Sequence, residues 1–162
     1  MKSLALKISM AVLSMIPLVA KAELIVLASP QSNDAYYAKM IDDIFDFHVD
    51  YAKKIIKNGD NVVVLTDKHL YPDYVKKLGK KHVAIAPMHD IWMRDFTSAN
   101  PAQPVMFRYT AAGQGGAKKG QAISDEVQDE FKYYSQKAGL QFTQSKLLND
   151  GGNWVEDGYG NV

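Results

Sequence analysis

Two carboxylates, an indole and a guanidinium fall within six positions of one another in the sequence, at Asp90, Trp92, Arg94 and Asp95. They follow a short apolar run, 83–86, which is typical of a buried strand. Ligand sites in open α/β folds gather at strand ends, because the sheet is rigid there and the following loop is free to carry chemistry. Carboxylates accept the N–H donors of a flat cation in pairs, and an aromatic face stacks on it. The spacing is therefore compatible with a cation site, and equally with a surface turn that contains an Asp–Arg pair and a packed tryptophan.

A metal or nucleotide site is less compatible with the sequence. His89, Asp90 and Asp95 lie close together, but no His-x-x-x-His or comparable ligand pair is present, and hydrolytic zinc sites generally need three protein ligands. The segment 111–120 contains four glycines and two lysines but lacks the spacing of a phosphate-binding loop. The sequence therefore predicts no metal, no nucleotide and no other cofactor.

Composition narrows the possible classes of protein. The 162 residues are enough for one domain with a real core. A formal net charge of +1 gives no broad basic surface that would indicate nucleic-acid binding. The sequence contains no cysteine, which excludes disulfides, thiolate metal sites and a thiol nucleophile within these residues.

Residues 1–22 have the three parts of a secretory signal peptide. Two lysines lie in the first seven residues, the run 8–19 is apolar, and Ala20-Lys21-Ala22 is an Ala-x-Ala cleavage site. The apolar run is too short for a comfortable membrane span, and a buried N-terminal helix fits the three parts less well. We expect an exported protein, periplasmic or extracellular, that consists of residues 23–162 and has no stable membrane span.

The rest of the chain alternates between strand and helix patterns. The predicted strands are Leu24–Ala28, Val62–Leu65, His82–Ala86, Pro104–Tyr109 and Gln141–Ser145. The predicted helices run from about Ala35 to Lys57, from Thr66 to Leu78 and from Ser124 to about Ala138. His48 lies on the first helix among acidic neighbours, and we expect it to be a solvated or edge residue. The alternation predicts an α/β fold.

Three motifs resemble those of one enzyme family. Asp90-x-Trp92-x-Arg94-Asp95 resembles the Trp-x-Arg-Asp signature of the agmatine deiminase and bacterial (Porphyromonas-type) peptidylarginine deiminase family. The segment 150–160, which reads Asp-Gly-Gly-Asn and then Asp-Gly-Tyr-Gly, looks like the family's Glu-Gly-Gly-Asn and Asp-Gly-x-Gly signature. Between them, Phe-Arg-Tyr at 107–109 and the glycines of 113–116 resemble its intervening strand and glycine-rich loop. One departure is that Asp150 stands where the family usually has Glu.

The resemblance implies chemistry at a guanidinium group. Family members attack the guanidinium carbon with a cysteine thiolate, expel ammonia, and hydrolyse the covalent intermediate with water activated by a histidine. By the same resemblance, Asp95 is the catalytic carboxylate that binds the guanidinium. Trp92 walls the substrate, while Asp90 and Asp150 are supporting acidic groups in substrate binding.

Three further residues of these motifs are expected to have structural roles. Arg94 would repel a cationic substrate, so the resemblance implies that it pairs with a carboxylate and holds the loop. Gly151 and Gly152 have no side chain, which permits tight turning or the close approach of a ligand.

The resemblance also implies a fold, the pentein, which is a ring of repeated α/β units around a pseudo-fivefold axis. The family's His-x-Asp pair lies beyond its Gly-Gly-Asn motif and its cysteine lies near the C-terminus, and neither has a match in these 162 residues. We therefore expect only the first units of a pentein over residues 23–162, and no deimination by this chain alone.

Two functions stay open at this point. The chain is either the N-terminal part of an exported deiminase that a C-terminal half completes, or a non-catalytic module that binds guanidino or arginine-peptide ligands. The substrate stays open among peptidylarginine, agmatine and free arginine derivatives. The signal peptide favours peptidylarginine, because agmatine metabolism is usually cytoplasmic.

Overall fold

The computed structural model of the chain describes residues 22–97, 104–110, 117–153 and 155, and for 117–119 it describes the backbone only. Residues 1–21 of the predicted signal peptide, the predicted glycine-rich loop and the Asp-Gly-x-Gly turn lie outside this part. Within it, no helix is long and apolar enough to cross a membrane.

Strands and helices alternate along the described chain, as the sequence predicted. The strands are β1 (Leu24–Ala28), β2 (Asn61–Thr66), β3 (Val83–Ile85), β4 (Val105–Arg108) and β5 (Thr143–Leu148). The helices are α1 (Ile41–Lys57), α2 (Tyr71–Leu78), α3 (Met93–Phe96) and α4 (Ala117–Lys137). Two short 3₁₀ turns are Lys80–His82 and Gly151–Asn153.

The first sheet is parallel, with β2 between β1 and β3. Val26 lies opposite Val63, and Val64 lies opposite Val83. The connecting helices α1 and α2 cover one face of this sheet, so buried positions alternate along β2 at Val62, Val64 and Thr66, whereas Leu24 and Val26 on β1 are exposed. The carboxyl ends of all three strands therefore meet at one edge of the sheet.

The helices α1 and α2 begin later than the sequence predicted, because aspartate side chains hold the preceding backbone in turns. Asp34 accepts the N–H groups of Tyr36 (2.7 Å) and Tyr37 (3.4 Å), which keeps the next residues out of the helix. Asp67 does the same with the N–H groups of His69 and Leu70, both at 2.9 Å. A polar residue before an apolar helical pattern predicts a helix cap, but it does not predict how many turn residues lie between that residue and the first turn of the helix.

The prediction for His48 was wrong. It is buried on the inner face of α1, where its Nδ1 lies 3.2 Å from the hydroxyl of Tyr74 on α2. Burial lowers the pKa of His48 from 6.5 to about 4, so the imidazole is neutral at pH 7. The acidic residues near it in sequence misled the prediction, since they lie on the other side of the helix.

The second sheet is a parallel pair, β4 and β5, in which Val105 lies opposite Thr143. Its connection α4 begins at Ala117 rather than at Ser124 as predicted. Strand β5 lies two to three residues later than predicted, and nearly all of it is exposed. Its polar sequence carries little periodic signal, which explains the shift.

One core cluster joins the two sheets. It consists of buried residues from β1, the loop after β3, α3, the end of β4 and α4: Ala28, Ala86, Met88, Phe96, Tyr109 and Val127. The loop that carries the motif residues is therefore anchored in the core on both sides of the motif.

Candidate functional site

The loop after β3 presents alternate residues to the core. Ala86, Met88 and Asp90 are buried, whereas His89 between them is exposed. Phe96, at the end of α3, is fully buried. Because Met88 and Phe96 are held in the core on either side of it, the carboxylate of Asp90 is buried as well.

One oxygen of Asp90 accepts three hydrogen bonds. Its Oδ1 takes the hydroxyl of Tyr37 at 3.0 Å, the N–H of Ile91 at 2.7 Å and the N–H of Trp92 at 3.3 Å. Burial, and then the charge of Asp90, raise the pKa of Tyr37, so its phenol stays protonated and donates. Tyr37 could not be recognised as a site residue from the sequence, because its partner is 53 residues away.

The carboxylate of Asp95 is half-buried on α3. Burial, then the charges of Asp150 and Asp90, raise the pKa of Asp95 above its ordinary value. A hydrogen bond from the N–H of Gly152 and the charge of Arg94 act in the opposite direction. The structure thus brings together the three acids predicted from the motifs, including one from the far end of the chain.

Asp150 lies just before the 3₁₀ turn and carries an unsatisfied atom. Its Oδ1 is buried and has no hydrogen-bond partner among the described residues. A buried carboxylate oxygen without a donor costs free energy, so a bound cation with N–H groups would stabilise this arrangement.

The two glycines of the second motif pack directly on α3. A Cβ atom on Gly151 would overlap the backbone carbonyl oxygen of Arg94. A Cβ atom on Gly152 would lie 2.5 Å from Oδ1 of Asp95. The close approach expected at these glycines is thus made by the protein's own α3, and it is what places Asp150 beside Asp95.

Trp92 and Arg94 both face solvent. Trp92 is 62% exposed, so its ring is available as a wall for a flat ligand. Arg94 is also exposed, and its charge partly offsets the repulsion among the acids at Asp95. The wall at Trp92 and the loop-holding role of Arg94 stay predictions.

Tyr109 is a site neighbour that the sequence did not single out for chemistry. It is buried at the end of β4, with its ring centroid 6.0 Å from that of Phe96. Burial raises the pKa of Tyr109 to about 12, and the charges of Asp90, Asp95 and Asp150 add to the rise. The phenol therefore lies within the field of all three acids.

Gln128 on α4 ties the motif loop to β4. Its Nε2 donates to the carbonyl oxygens of Phe96 (3.1 Å) and Phe107 (2.7 Å), and its Oε1 accepts the N–H of Tyr109 (3.2 Å). Its position next to Val127, on the buried face of α4, was the signal that could have found it. A buried glutamine is expected to bond to backbone groups in this way.

Other polar features of the described chain are separate from the three acids. No group of three or more His, Asp or Glu side chains in this part is arranged to hold a metal ion. His89 lies against α4, where its backbone N–H donates to Oε2 of Glu130 at 2.8 Å. A shallow cavity of about 340 Å³ lies at the carboxyl ends of β1, β2 and β3, and none of the three acids lines it.

The described chain thus combines parallel α/β units, an acidic loop at a strand end and a Gly-Gly turn packed on that loop. The sequence matches the family described as Porphyromonas-type peptidyl-arginine deiminase over residues 14–162, and the chain belongs to that family. No curated protein sequence matches it.

Solved structures support the same fold. The agmatine deiminase of C. jejuni has a TM-score of 0.63 and 16% identity, with 90% of this chain covered and 44% of that chain. A Cys→Ser variant of that enzyme with substrate bound gives a TM-score of 0.62 and 16% identity, with 90% of this chain and 43% of that chain covered. The agmatine deiminase of Enterococcus faecalis has a TM-score of 0.55 and 14% identity, with 86% of this chain and 40% of that chain covered. The pentein-type α/β fold is thus confirmed, and the chain spans less than half the length of these structures.

Proposed function

We propose that this chain supplies the guanidinium-binding part of an exported deiminase, which converts the guanidinium of peptidylarginine or agmatine to a ureido group and releases ammonia. The observation that carries the proposal is the convergence of Asp90, Asp95 and Asp150 beside the loop after β3, where burial and then the charges of Asp150 and Asp90 raise the pKa of Asp95. Such a cluster is unfavourable while empty and is relieved by a cation.

A guanidinium fits this cluster better than a compact cation does. It is planar and presents N–H donors along its edges, which suits the carboxylates of Asp95 and Asp150 in bidentate bonds. The unpartnered Oδ1 of Asp150 would gain a donor. The exposed ring of Trp92 would stack on the face of the cation.

The same carboxylates would assist the reaction. The guanidinium carbon is a poor electrophile because its charge is delocalised, and carboxylates on the nitrogens keep positive charge on that carbon as it is attacked. In the family a cysteine thiolate forms the new bond to carbon, ammonia leaves, and water releases the ureido product. The 162 residues contain no cysteine, so we assign the thiolate and the His-x-Asp pair to a complementing C-terminal part.

Export is the second part of the proposal. It rests on the charged start, apolar run and Ala-x-Ala site of residues 1–22. Intact-mass analysis of the exported protein should find Glu23 at its N-terminus, and a retained Met1 would reject cleavage.

Binding is tested on the chain as it stands. Agmatine should bind, measured by calorimetry or by Trp92 fluorescence, whereas putrescine, which has an amine in place of the guanidinium, should bind at least about tenfold more weakly. Equal binding of the two, or no binding of agmatine, would contradict a guanidinium site.

Catalysis is tested by reconstitution. The chain mixed with or fused to a matching C-terminal half should release ammonia, and the chain alone should not. Asp95→Asn should reduce turnover of the reconstituted enzyme far more than Asp129→Asn, an exposed acid paired with Lys132. Ammonia release by the chain alone, above a no-protein control, would contradict the need for a second part.

The absence of cysteine also favours a second candidate, a module that binds guanidino or arginine-peptide ligands without turnover. The two candidates share the binding result and differ in the reconstitution result. A His-x-Asp pair and a late cysteine in frame beyond codon 162 would favour the enzyme.

A further inference from the structure

We infer that Tyr37 and Asp90 form a buried positioning pair, which fixes Trp92 and α3 for guanidinium binding, and that Asp90 is not itself a substrate ligand. The inference deepens the proposed function and rests on it. It assigns different roles to Asp90 and Asp150, which the family resemblance groups together as supporting acids.

The pair is enclosed and its geometry is direct. Tyr37 is 7% exposed and Asp90 is 6% exposed, and the phenol oxygen lies 3.0 Å from Oδ1 of Asp90. The same oxygen accepts the N–H groups of Ile91 and Trp92. Three donors on one oxygen leave that atom little capacity to accept from a ligand.

The donor is held independently of the loop that it supports. Tyr37 lies in the turn between β1 and α1, where Asp34 accepts its N–H and its own carbonyl accepts the N–H of Met40 at 2.8 Å. Its ring also packs edge-on against Tyr36, with centroids 4.9 Å apart. A phenol fixed by its own backbone can therefore set the position of Asp90.

The hydrogen bonds continue from Asp90 to the acid that would bind substrate. Asp90 holds the N–H of Trp92, and the carbonyl oxygen of Trp92 accepts the N–H of Asp95 at 2.9 Å. Trp92 immediately precedes α3. Removal of the Tyr37 hydroxyl should therefore loosen both the indole wall and the carboxylate of Asp95.

Asp150 provides the contrast. Its Oδ1 has no hydrogen-bond partner among the described residues, whereas Oδ1 of Asp90 has three. A substrate cation would therefore be bound by Asp95 and Asp150. Asp90 contributes to the negative field and holds the loop.

The test compares two buried Tyr→Phe variants of the full chain. Tyr37→Phe removes the hydroxyl bonded to Asp90, and Tyr74→Phe removes a hydroxyl bonded to His48 in a different core cluster. Amide hydrogen exchange at Ile91 and Trp92 should become about tenfold faster in Tyr37→Phe and stay unchanged in Tyr74→Phe. Agmatine binding should weaken about tenfold in Tyr37→Phe only, as expected for the loss of a hydrogen bond to a charged group.

A second variant guards against misfolding of the first. Asp90→Asn keeps the shape but weakens the acceptor, so exchange at Ile91 and Trp92 should rise while agmatine binding falls less than in Asp95→Asn. Equal exchange in the two Tyr→Phe variants, unchanged agmatine binding in Tyr37→Phe, or a loss in Asp90→Asn as large as in Asp95→Asn would overturn the inference. If the wild-type chain binds no agmatine, the proposed function fails, and the exchange data still decide whether Tyr37 positions the loop.

Discussion

The carboxyl group of Asp95 lies half-buried beside two other acids, and both of them raise its pKa. Its ionised form is therefore less favourable here than in water, and a bound cation would make it favourable again. Like charges held together in this way lower the stability of the folded chain and favour the binding of a cation, as is common at functional sites.

The raised pKa of Asp95 predicts how guanidinium binding depends on pH. Asp95 takes up a proton at a higher pH than an ordinary aspartate as the solution is acidified, and in that acidic range the cation must displace the proton. Agmatine affinity should therefore fall as pH decreases from neutral into the acidic range, and proton release should be detected by calorimetry in buffers of different ionisation enthalpy. Asp95→Asn should bind at least about tenfold more weakly at pH 7.

The control for this substitution is chosen from the structure. Asp67 lies outside the motifs, but it accepts four hydrogen bonds, from Ser32 N–H and Oγ, His69 and Leu70, so its replacement would damage the fold. Asp129 is exposed and serves better. A wild-type affinity that does not change with pH, or an Asp95→Asn variant that binds like Asp129→Asn, would remove Asp95 from the site.

At the scale of elements, the site depends on the contact between α3 and the turn Gly151–Asn153. Gly152→Ala would place a methyl group 2.5 Å from Oδ1 of Asp95, and the carboxylate or the turn must move. We expect destabilisation of about 1–3 kcal/mol and a loss of agmatine binding.

Gly59→Ala separates these two effects. Gly59 has open space around it but a φ of +94°, so alanine there is strained and destabilises by about 1 kcal/mol without touching the site. Its agmatine binding should equal that of the wild type. Chemical denaturation and calorimetry measure both quantities, and intact binding in Gly152→Ala would contradict the role given to this contact.

The packing of α1 on α2 makes stability depend on pH through His48. Burial lowers its pKa to about 4 in the folded chain, against 6.5 when unfolded. The unfolded state therefore binds more protons, and stability is lost as pH falls from about 6.5 towards 4. The free energy of unfolding should fall by about 2 kcal/mol between pH 7 and pH 5.

Urea denaturation at the two pH values checks this. His48→Gln keeps a polar side chain without the titrating ring, and it should remove most of the change in the free energy of unfolding between pH 7 and pH 5. An equal pH dependence in wild type and His48→Gln would show that other groups are responsible.

The elements differ in how well the sequence predicted them, for identifiable reasons. The strand β1 was predicted at its observed bounds, and β2 to within a residue at each end, because each is a continuous apolar run bounded by polar or turn residues. The start of α1 was misplaced because Asp34 holds a turn first, and β5 was displaced because exposed strands carry no apolar pattern.

The residues of the candidate site also differ in how well the sequence could predict them. Asp90, Trp92, Asp95 and Asp150 could be singled out because local motifs mark them. Tyr37 could not, since its partner is 53 residues away. Gln128 shows in the sequence only as a polar residue beside the apolar Val127, and the spacing says nothing of its bonds to Phe96 and Phe107.

At the scale of the whole molecule, strand β5 of the parallel pair β4–β5 is exposed to solvent along nearly its whole length. Parallel sheets are normally covered on both faces, yet Leu147 is 68% exposed and Leu148 is 57% exposed on β5. Leu24 on β1 is exposed as well. Apolar side chains on an open strand favour association with another chain.

We therefore expect the isolated chain to self-associate. Sedimentation should show species larger than the monomer, and the unfolding midpoint should change with concentration. Replacing Leu147 and Leu148 with lysine should reduce association, because charge on an open strand opposes pairing, whereas Lys146→Gln should not reduce it. A sharp, reversible and concentration-independent unfolding transition of a monomer would contradict this expectation.

The hydrogen bonds of Gln128 to Phe96 and Tyr109 also determine when the motif loop can be fixed in place during synthesis of the chain. A ribosome makes the chain from its N-terminus, and all three strands of the first sheet are complete once Ile85 has emerged. The motif loop is synthesised next, but its ties to α4 and to Gly151 arrive only with the last quarter of the described chain. A nascent chain arrested before residue 128 would thus hold a folded sheet that carries the binding motif and cannot yet bind.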